Sequence, residues 1–340
     1  MIRHIVRYVL ISLAIAASPA HAETKLLFSI FFPPSHFIQQ VMRDWAADVE
    51  KVTDNRVKIE FAAASMAPPP QQMSAVHSDI FDIGFTANPF IKNKAPLIEF
   101  SSLPWLVSET EAASVAYWRT YQKSLANKHQ FKDVQLLSLF HAAGGQLYSL
   151  DETPINSVDE LKKRKMWALP GQAAGLLKNL GMSPVTTPAV KISEPVSRGV
   201  VEGYYGMSPE GALSFKAAPY TKVITWFPRA ATSTSFSMFI NKGKWAKLSK
   251  KDQAAILSVS GEKVAAAVGK AYDIAAAEAL SKMKASGVKV VDADPAFYAA
   301  MQKAAAASFK RFNAVAAKSG VDGDALIAQF RKEYLSLAKH

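Results

Sequence analysis

Apolar and polar positions follow two different periods along the first half of the chain. Residues 25–30 (KLLFSI) form an apolar run, and residues 56–61 (RVKIEF) alternate with period two. Between them, Phe37, Ile38, Val41, Trp45 and Val49 recur at helical spacing within 36–53, which predicts an amphipathic helix joining two strands. Two further apolar runs, 82–86 (DIGFT) and 134–140 (VQLLSLF), flank a helical pattern at 110–128. Short apolar runs divided by helical stretches predict an α/β architecture with mostly parallel sheets. Gly144, Gly145 and Pro228 punctuate the pattern where the chain would cross between two lobes. This divides the chain into a first lobe, 23–143 plus 233–270, and a second, 144–232 plus 271–340.

The longest helical signal comes late. Ser249, with Asp252 three residues on, is a capping-box variant, and Gly287 stops the segment before the strand VKVV. No proline intervenes and alanine dominates. At ~1.5 Å per residue an unbroken helix here would run about 55 Å, long enough to lie along both lobes, with Gly261 and Gly269 as the points where it would break.

The N-terminus reads as an export leader. Arg3 and Arg7 precede an apolar run, and Ala20-His21-Ala22 has the A-x-A form of a signal-peptidase site. The apolar run is shorter than the ~20 residues that span a bilayer, so cleavage after Ala22 and a periplasmic product are expected. The net charge is +12, of which the leader holds Arg3 and Arg7. The lysines are spread over Ala-rich helical segments without interleaved aromatic residues, which speaks against a nucleic-acid platform. The chain has no cysteine, so thiolate metal sites, thiol catalysis and disulfides are excluded. Neither G-x-S-x-G nor H-E-x-x-H occurs, and the histidines at 36, 77, 129, 141 and 340 are not at metal-ligand spacing. The expectation is therefore a binding protein and not an enzyme, with no cofactor and no metal.

Four fragments in order carry a family resemblance. Residues 154–170 (PINSVDELKKRKMWALP) correspond to "PI.S..DLKG.KIRVP", 180–185 (LGMSPV) to "LGA.PV", 199–203 (GVVEG) to "GVVDG", and 103–106 (LPWL) to "LPFL". The chain resembles, over nearly all of its mature length, the solute-binding proteins of tripartite ATP-independent periplasmic (TRAP) transporters. The resemblance implies a two-lobed periplasmic binding protein fold of type II kind, a ligand cleft between the lobes, and a long helix spanning both. It also implies delivery of a small organic solute to the membrane subunits of a TRAP permease; a binding protein that serves a sensor kinase instead is the rival reading, and a monomer is expected.

The departures from the family bear on the ligand. Where relatives place an arginine that grips a carboxylate with two hydrogen bonds, this chain has Trp167; where the sialic-acid branch has a second arginine, it has Leu147. Tyr204, Tyr205 and Met207 stand near the position of a family polar group, now Gly206. A cleft lined by such residues fits an aromatic solute better than a small dicarboxylate. Arg229 and His36 are the substitute bases for any carboxylate. His36 lies in the FFPPSH loop and Asn88 after a strand, both at strand ends where open α/β sheets place ligands. Phe236, on the return between lobes, is expected to close over the cleft.

Overall fold

A computed structural model describes residues 23–338; the predicted leader, residues 1–22, lies outside the described residues, as does His340. Among the described residues ten strands form two five-stranded sheets. They are β1 (Thr24–Phe28), β2 (Val57–Phe61), β3 (Ile83–Ala87), β4 (Val134–His141), β5 (Gln146–Ser149), β6 (Met166–Ala168), β7 (Gly203–Met207), β8 (Val223–Trp226), β9 (Ser235–Asn241) and β10 (Lys289–Asp292). The first sheet has the order β2-β1-β3-β9-β4 and the second β10-β8-β5-β7-β6.

The sheets are mixed, not mostly parallel. β1 runs parallel to β2 and β3, but β9 pairs antiparallel with both β3 and β4. In the second sheet β5 is antiparallel to β7 and β8, while β6 and β10 join in parallel. The cause is the connection: β5 and β9 enter their sheets directly from the other lobe, without the helical crossover that a parallel strand requires.

Two chain segments, at Gly145 and at residues 231–232, run side by side between the sheets. Gly145 N–H donates to Thr232 O and Ala231 N–H to Gly145 O, both at about 3 Å, so the outgoing and returning chains brace each other. A Cβ on Gly145 would lie 2.2 Å from the Gly206 backbone. Only glycine lets β7 come this close to the crossing.

The late helical segment begins as expected, with Ser249 Oγ accepting the Asp252 N–H at 3.0 Å. It is, however, two helices, Lys250–Val259 and Glu262–Ala285, broken at Gly261. Gly261 has φ +58°, and a Cβ there would meet the Trp118 indole at 2.7 Å, so both backbone conformation and packing demand glycine. Gly269 does not break the helix. A Cβ at that position would strike the Glu111 backbone at 2.6 Å, so its missing side chain permits a close helix crossing instead. The 24-residue helix Glu262–Ala285 packs on the helix Thr110–Ser124 and β4 of the first lobe and on the helix Pro209–Ser214 of the second, and so spans both. Asp273 fixes it at the first lobe: its carboxylate accepts the Thr110 and Glu111 N–H groups at 2.8–3.1 Å, capping that helix's unsatisfied N-terminus.

The C-terminal helix Gly323–Leu335, counted with the second lobe from sequence, packs against Thr110–Ser124 of the first. Leu326, Ile327, Phe330 and Tyr334 enter one apolar cluster with Tyr117 and Tyr121, and the Tyr334 hydroxyl accepts the Ser108 and Glu109 N–H groups. Among the described residues no helix is long and apolar enough to cross a membrane.

Candidate ligand-binding site

The loop that follows β1 carries Phe31 and Phe32, stacked at 4.5 Å between ring centroids. Phe32 lies 5.9 Å from Phe215 of the second lobe at an interplanar angle of 16°, and 6.1 Å from Phe236 of β9. These rings wall a cavity at the seam between the lobes. Ala87, Pro89, Phe90 and Thr234 close it from the first lobe, Leu169, Pro170, Gly206 and Met207 from the second, and Tyr272 of the long helix from one side. Its volume, measured as the space open to the centre of a water-sized sphere, is about 70 Å³. A single water takes roughly 10–15 Å³ on that measure, so the space fits one small ring with few substituents.

Among the described residues no lysine or arginine lines the cavity, and the one charged lining residue is Glu210. The helix Pro209–Ser214 starts at Ser208, whose Oγ accepts the Gly211 N–H, and this turns Glu210 toward the seam. Ser208 and Ser214 donate to its two carboxylate oxygens at 3.0 and 3.3 Å. His36 approaches from the other lobe, with Nε2 at 2.8 Å from Glu210 Oε1 and ring orientation outside good hydrogen-bond alignment. His36 Nδ1 accepts the Ile38 N–H at 3.2 Å, an arrangement open only to the neutral tautomer that carries its proton on Nε2. Burial holds the Tyr272 phenol well above its ordinary pKa, and the Glu210 charge adds to the effect, so the group stays a hydrogen-bond donor.

The residues singled out from sequence divide sharply. Met207 and Phe236 line the cavity, and His36 reaches it through Glu210. Trp167 does not line it: the residue is 0% exposed, and its Nε1 donates to Thr187 Oγ1 at 3.0 Å. Tyr204 stacks on Tyr148 at 4.2 Å, and Tyr205 and Leu147 face each other across the β5–β7 pairing within the second lobe's core. Asn88 is fully buried behind the cavity; its Nδ2 donates to the Tyr117 and Ser235 hydroxyls at 2.8 Å and its Oδ1 accepts from Ser237 at 2.6 Å. Arg229 is exposed, outside the cavity lining and near Tyr298.

Glu210, Phe215, Tyr272, Leu169 and Pro170 were not singled out. Leu169 and Pro170 carried a signal, because they follow directly on a strand end, where the chain leaves the sheet and side chains project into a crevice. Among the described residues no group of His, Asp and Glu is placed to hold a metal ion.

Comparisons with known proteins agree with this architecture. The outer membrane transporter protein TsaT of Comamonas testosteroni is 32% identical over 317 residues, 93% of each chain. A TRAP periplasmic solute-binding protein from Bordetella bronchiseptica, solved with (R)- and (S)-mandelate bound, has a TM-score of 0.87 at 27% identity, covering 93% of this chain and 100% of that one. A TRAP solute-binding protein from a marine metagenome, specific for aromatic acid ligands and solved with 3-hydroxybenzoate, has a TM-score of 0.84 at 25% identity over 94% of this chain and 100% of its own. Residues 28–314 match the model of the bacterial extracellular solute-binding proteins, family 7, and the chain belongs to that family, the solute-binding proteins of TRAP transporters.

Proposed function

We propose that this protein captures a small aromatic solute between its lobes in the periplasm and delivers it to the membrane subunits of a TRAP permease. The observation that carries the reading is the ring-walled cavity itself, with Phe31, Phe32, Phe90, Phe215, Phe236 and Tyr272 around it and no basic side chain in its wall. An aromatic guest gains from burial of its faces and from edge and stacked contacts with these rings. A short aliphatic dicarboxylate would bring two charges into a space without a cation, at a cost of several kcal/mol each. Two relatives of the same fold bind mandelate and 3-hydroxybenzoate, both single-ring acids, which supports the size and the aromatic character of the guest.

Binding and delivery follow from the two lobes. A solute that touches both favours the state in which they meet, and the membrane subunits would read that state. A thermal-shift screen of single-ring acids, neutral single rings and C4 dicarboxylates tests the ligand class. A ring ligand at 100 times its Kd stabilises by about 2.7 kcal/mol and raises the melting temperature. A rise confined to the dicarboxylates would overturn the reading. Uptake of the solute into proteoliposomes holding the permease subunits, with and without this protein, tests delivery.

A further inference from the structure

A narrow annexe opens off the ring cavity and shares Pro89, Leu169, Pro170 and Thr234 with it. Its volume is about 10 Å³ on the same measure, the space of one oxygen atom or one water. The helix Gln172–Asn179 begins in its wall and has no side-chain cap. The first helical N–H groups that find a carbonyl are those of Ala174, bonded to Leu169 O, and Gly175, bonded to Gly171 O. The N–H groups of Gln172 and Ala173 therefore face the annexe unpaired.

A second, independent feature points into the same space. Thr232 is 4% exposed and lines the annexe, and its Oγ1 is buried without a hydrogen-bond partner. The two serine hydroxyls in the same wall are occupied, since Ser102 Oγ donates to Ser235 Oγ and Ser233 Oγ to Ala142 O. Gly206 brings the two features together. A Cβ there would lie 2.3 Å from Ala173 Cβ and 3.2 Å from Thr232 Oγ1, so the helix start and the hydroxyl meet over its bare Cα.

We infer that this annexe, formed by the N-terminus of the helix Gln172–Asn179 and the Thr232 hydroxyl, receives one oxygen of a carboxylate borne on the ring. The inference rests on the aromatic-solute reading and narrows it to single-ring acids. Neutral donors and a helix end then perform the task that a guanidinium performs in relatives, since unsatisfied N–H groups at a helix start favour an anion. The acidic neighbour on that side is Glu99, beside the Gln172 side chain; burial raises its pKa to about 7, so it is half protonated at neutrality and largely protonated below it, where it opposes an anion little.

Calorimetry with benzoate and nitrobenzene, which share a shape and differ in charge, tests this on the whole mature chain, its Thr232→Val variant and its Thr232→Ser variant. The wild type is expected to bind benzoate at least about tenfold more tightly than nitrobenzene. T232V should lose about tenfold for benzoate and less than about threefold for nitrobenzene, and T232S should restore benzoate binding, as for a hydrogen bond to a charged group. Equal affinity of the wild type for the two probes overturns the annexe and leaves the aromatic reading standing, as does an equal loss of both in T232V. If neither probe binds the wild type, both fall. Should T232V fail to fold, a crystal structure of the benzoate complex decides: a carboxylate oxygen within hydrogen-bond distance of Thr232 Oγ1 and the Gln172 or Ala173 N–H supports the assignment, and a carboxylate elsewhere overturns it.

Discussion

His36 Nε2 and Glu210 Oε1 lie 2.8 Å apart, and they come from opposite lobes, one from the loop after β1 and the other from the helix that follows β7. Both side chains are almost wholly withdrawn from solvent. The pair bridges the seam beside the cavity and holds a carboxylate where a solute's own charge would otherwise dominate.

Removing one partner leaves the other buried alone. Glu210→Ala is expected to destabilise the protein by about 3 kcal/mol in urea unfolding, and the double substitution His36→Leu with Glu210→Leu by less than the single one, because an apolar pair leaves no stranded polar group. A single-variant cost below about 1 kcal/mol would show the pair to be solvated in practice.

The placement of Trp167 and Phe215 predicts opposite phenotypes. Trp167→Phe removes the hydrogen bond to Thr187 and should cost about 1 kcal/mol of stability while ring-ligand affinity changes less than about threefold. Phe215→Ala removes a cavity wall and should weaken a ring ligand by about tenfold or more in calorimetry. If Trp167→Phe weakened binding as much as Phe215→Ala, the indole would have to reach the solute.

Two buried titratable groups set opposite pH slopes. Burial raises the Glu99 carboxyl from its ordinary 4.5 to about 7, against the smaller opposing influence of the neighbouring Gln172 side chain. Its contribution to stability is fully present below pH 4.5, where folded and unfolded chains are both protonated, and is lost as pH rises toward 7 and the unfolded chain alone ionises. The loss is about 3 kcal/mol. Relative to wild type, Glu99→Gln should therefore gain about that amount between pH 4.5 and 8 in unfolding free energy; a difference constant with pH would contradict it. His141 works the other way. Burial lowers its pKa from 6.5 to about 3, so its contribution is present above pH 6.5 and lost as pH falls from there. His141→Gln should flatten the acid limb of the same curve.

Gly145→Ala should destabilise by about 3 kcal/mol or more, since its methyl would meet the Gly206 backbone at 2.2 Å and neither chain can yield without moving β7. Because Gly206 lines the cavity, ring-ligand affinity should fall with stability. Unchanged stability would mean that the crossing is softer than its hydrogen bonds indicate.

Periodicity made the elements around the first sheet legible. The apolar stripe Ile38, Val49 and Trp45 is buried as its spacing requires, and Ser249 caps its helix. Strand direction was not legible, because an apolar run reads the same either way and only the connection length tells a returning strand from a crossover one. The break at Gly261 needed the Trp118 ring beside it. The site was legible in place more than in detail. Alternation along β6 and β7 shows that Trp167 and Tyr204 face one way, not that this face is core while Leu169 and Gly206 reach the cavity. Glu210 escaped notice because an acid in the first turn of a helix reads as a complement to the dipole.

Asp273 has an effect beyond capping. By gripping the start of the helix Thr110–Ser124, it ties the long helix to the first lobe one residue after Tyr272, so that the phenol is anchored on that side. On the proposed opening of the lobes, the tear would run between Tyr272 and Glu210, so that the carboxylate would leave with the departing half and the tyrosine would stay behind as a shelf for an incoming guest.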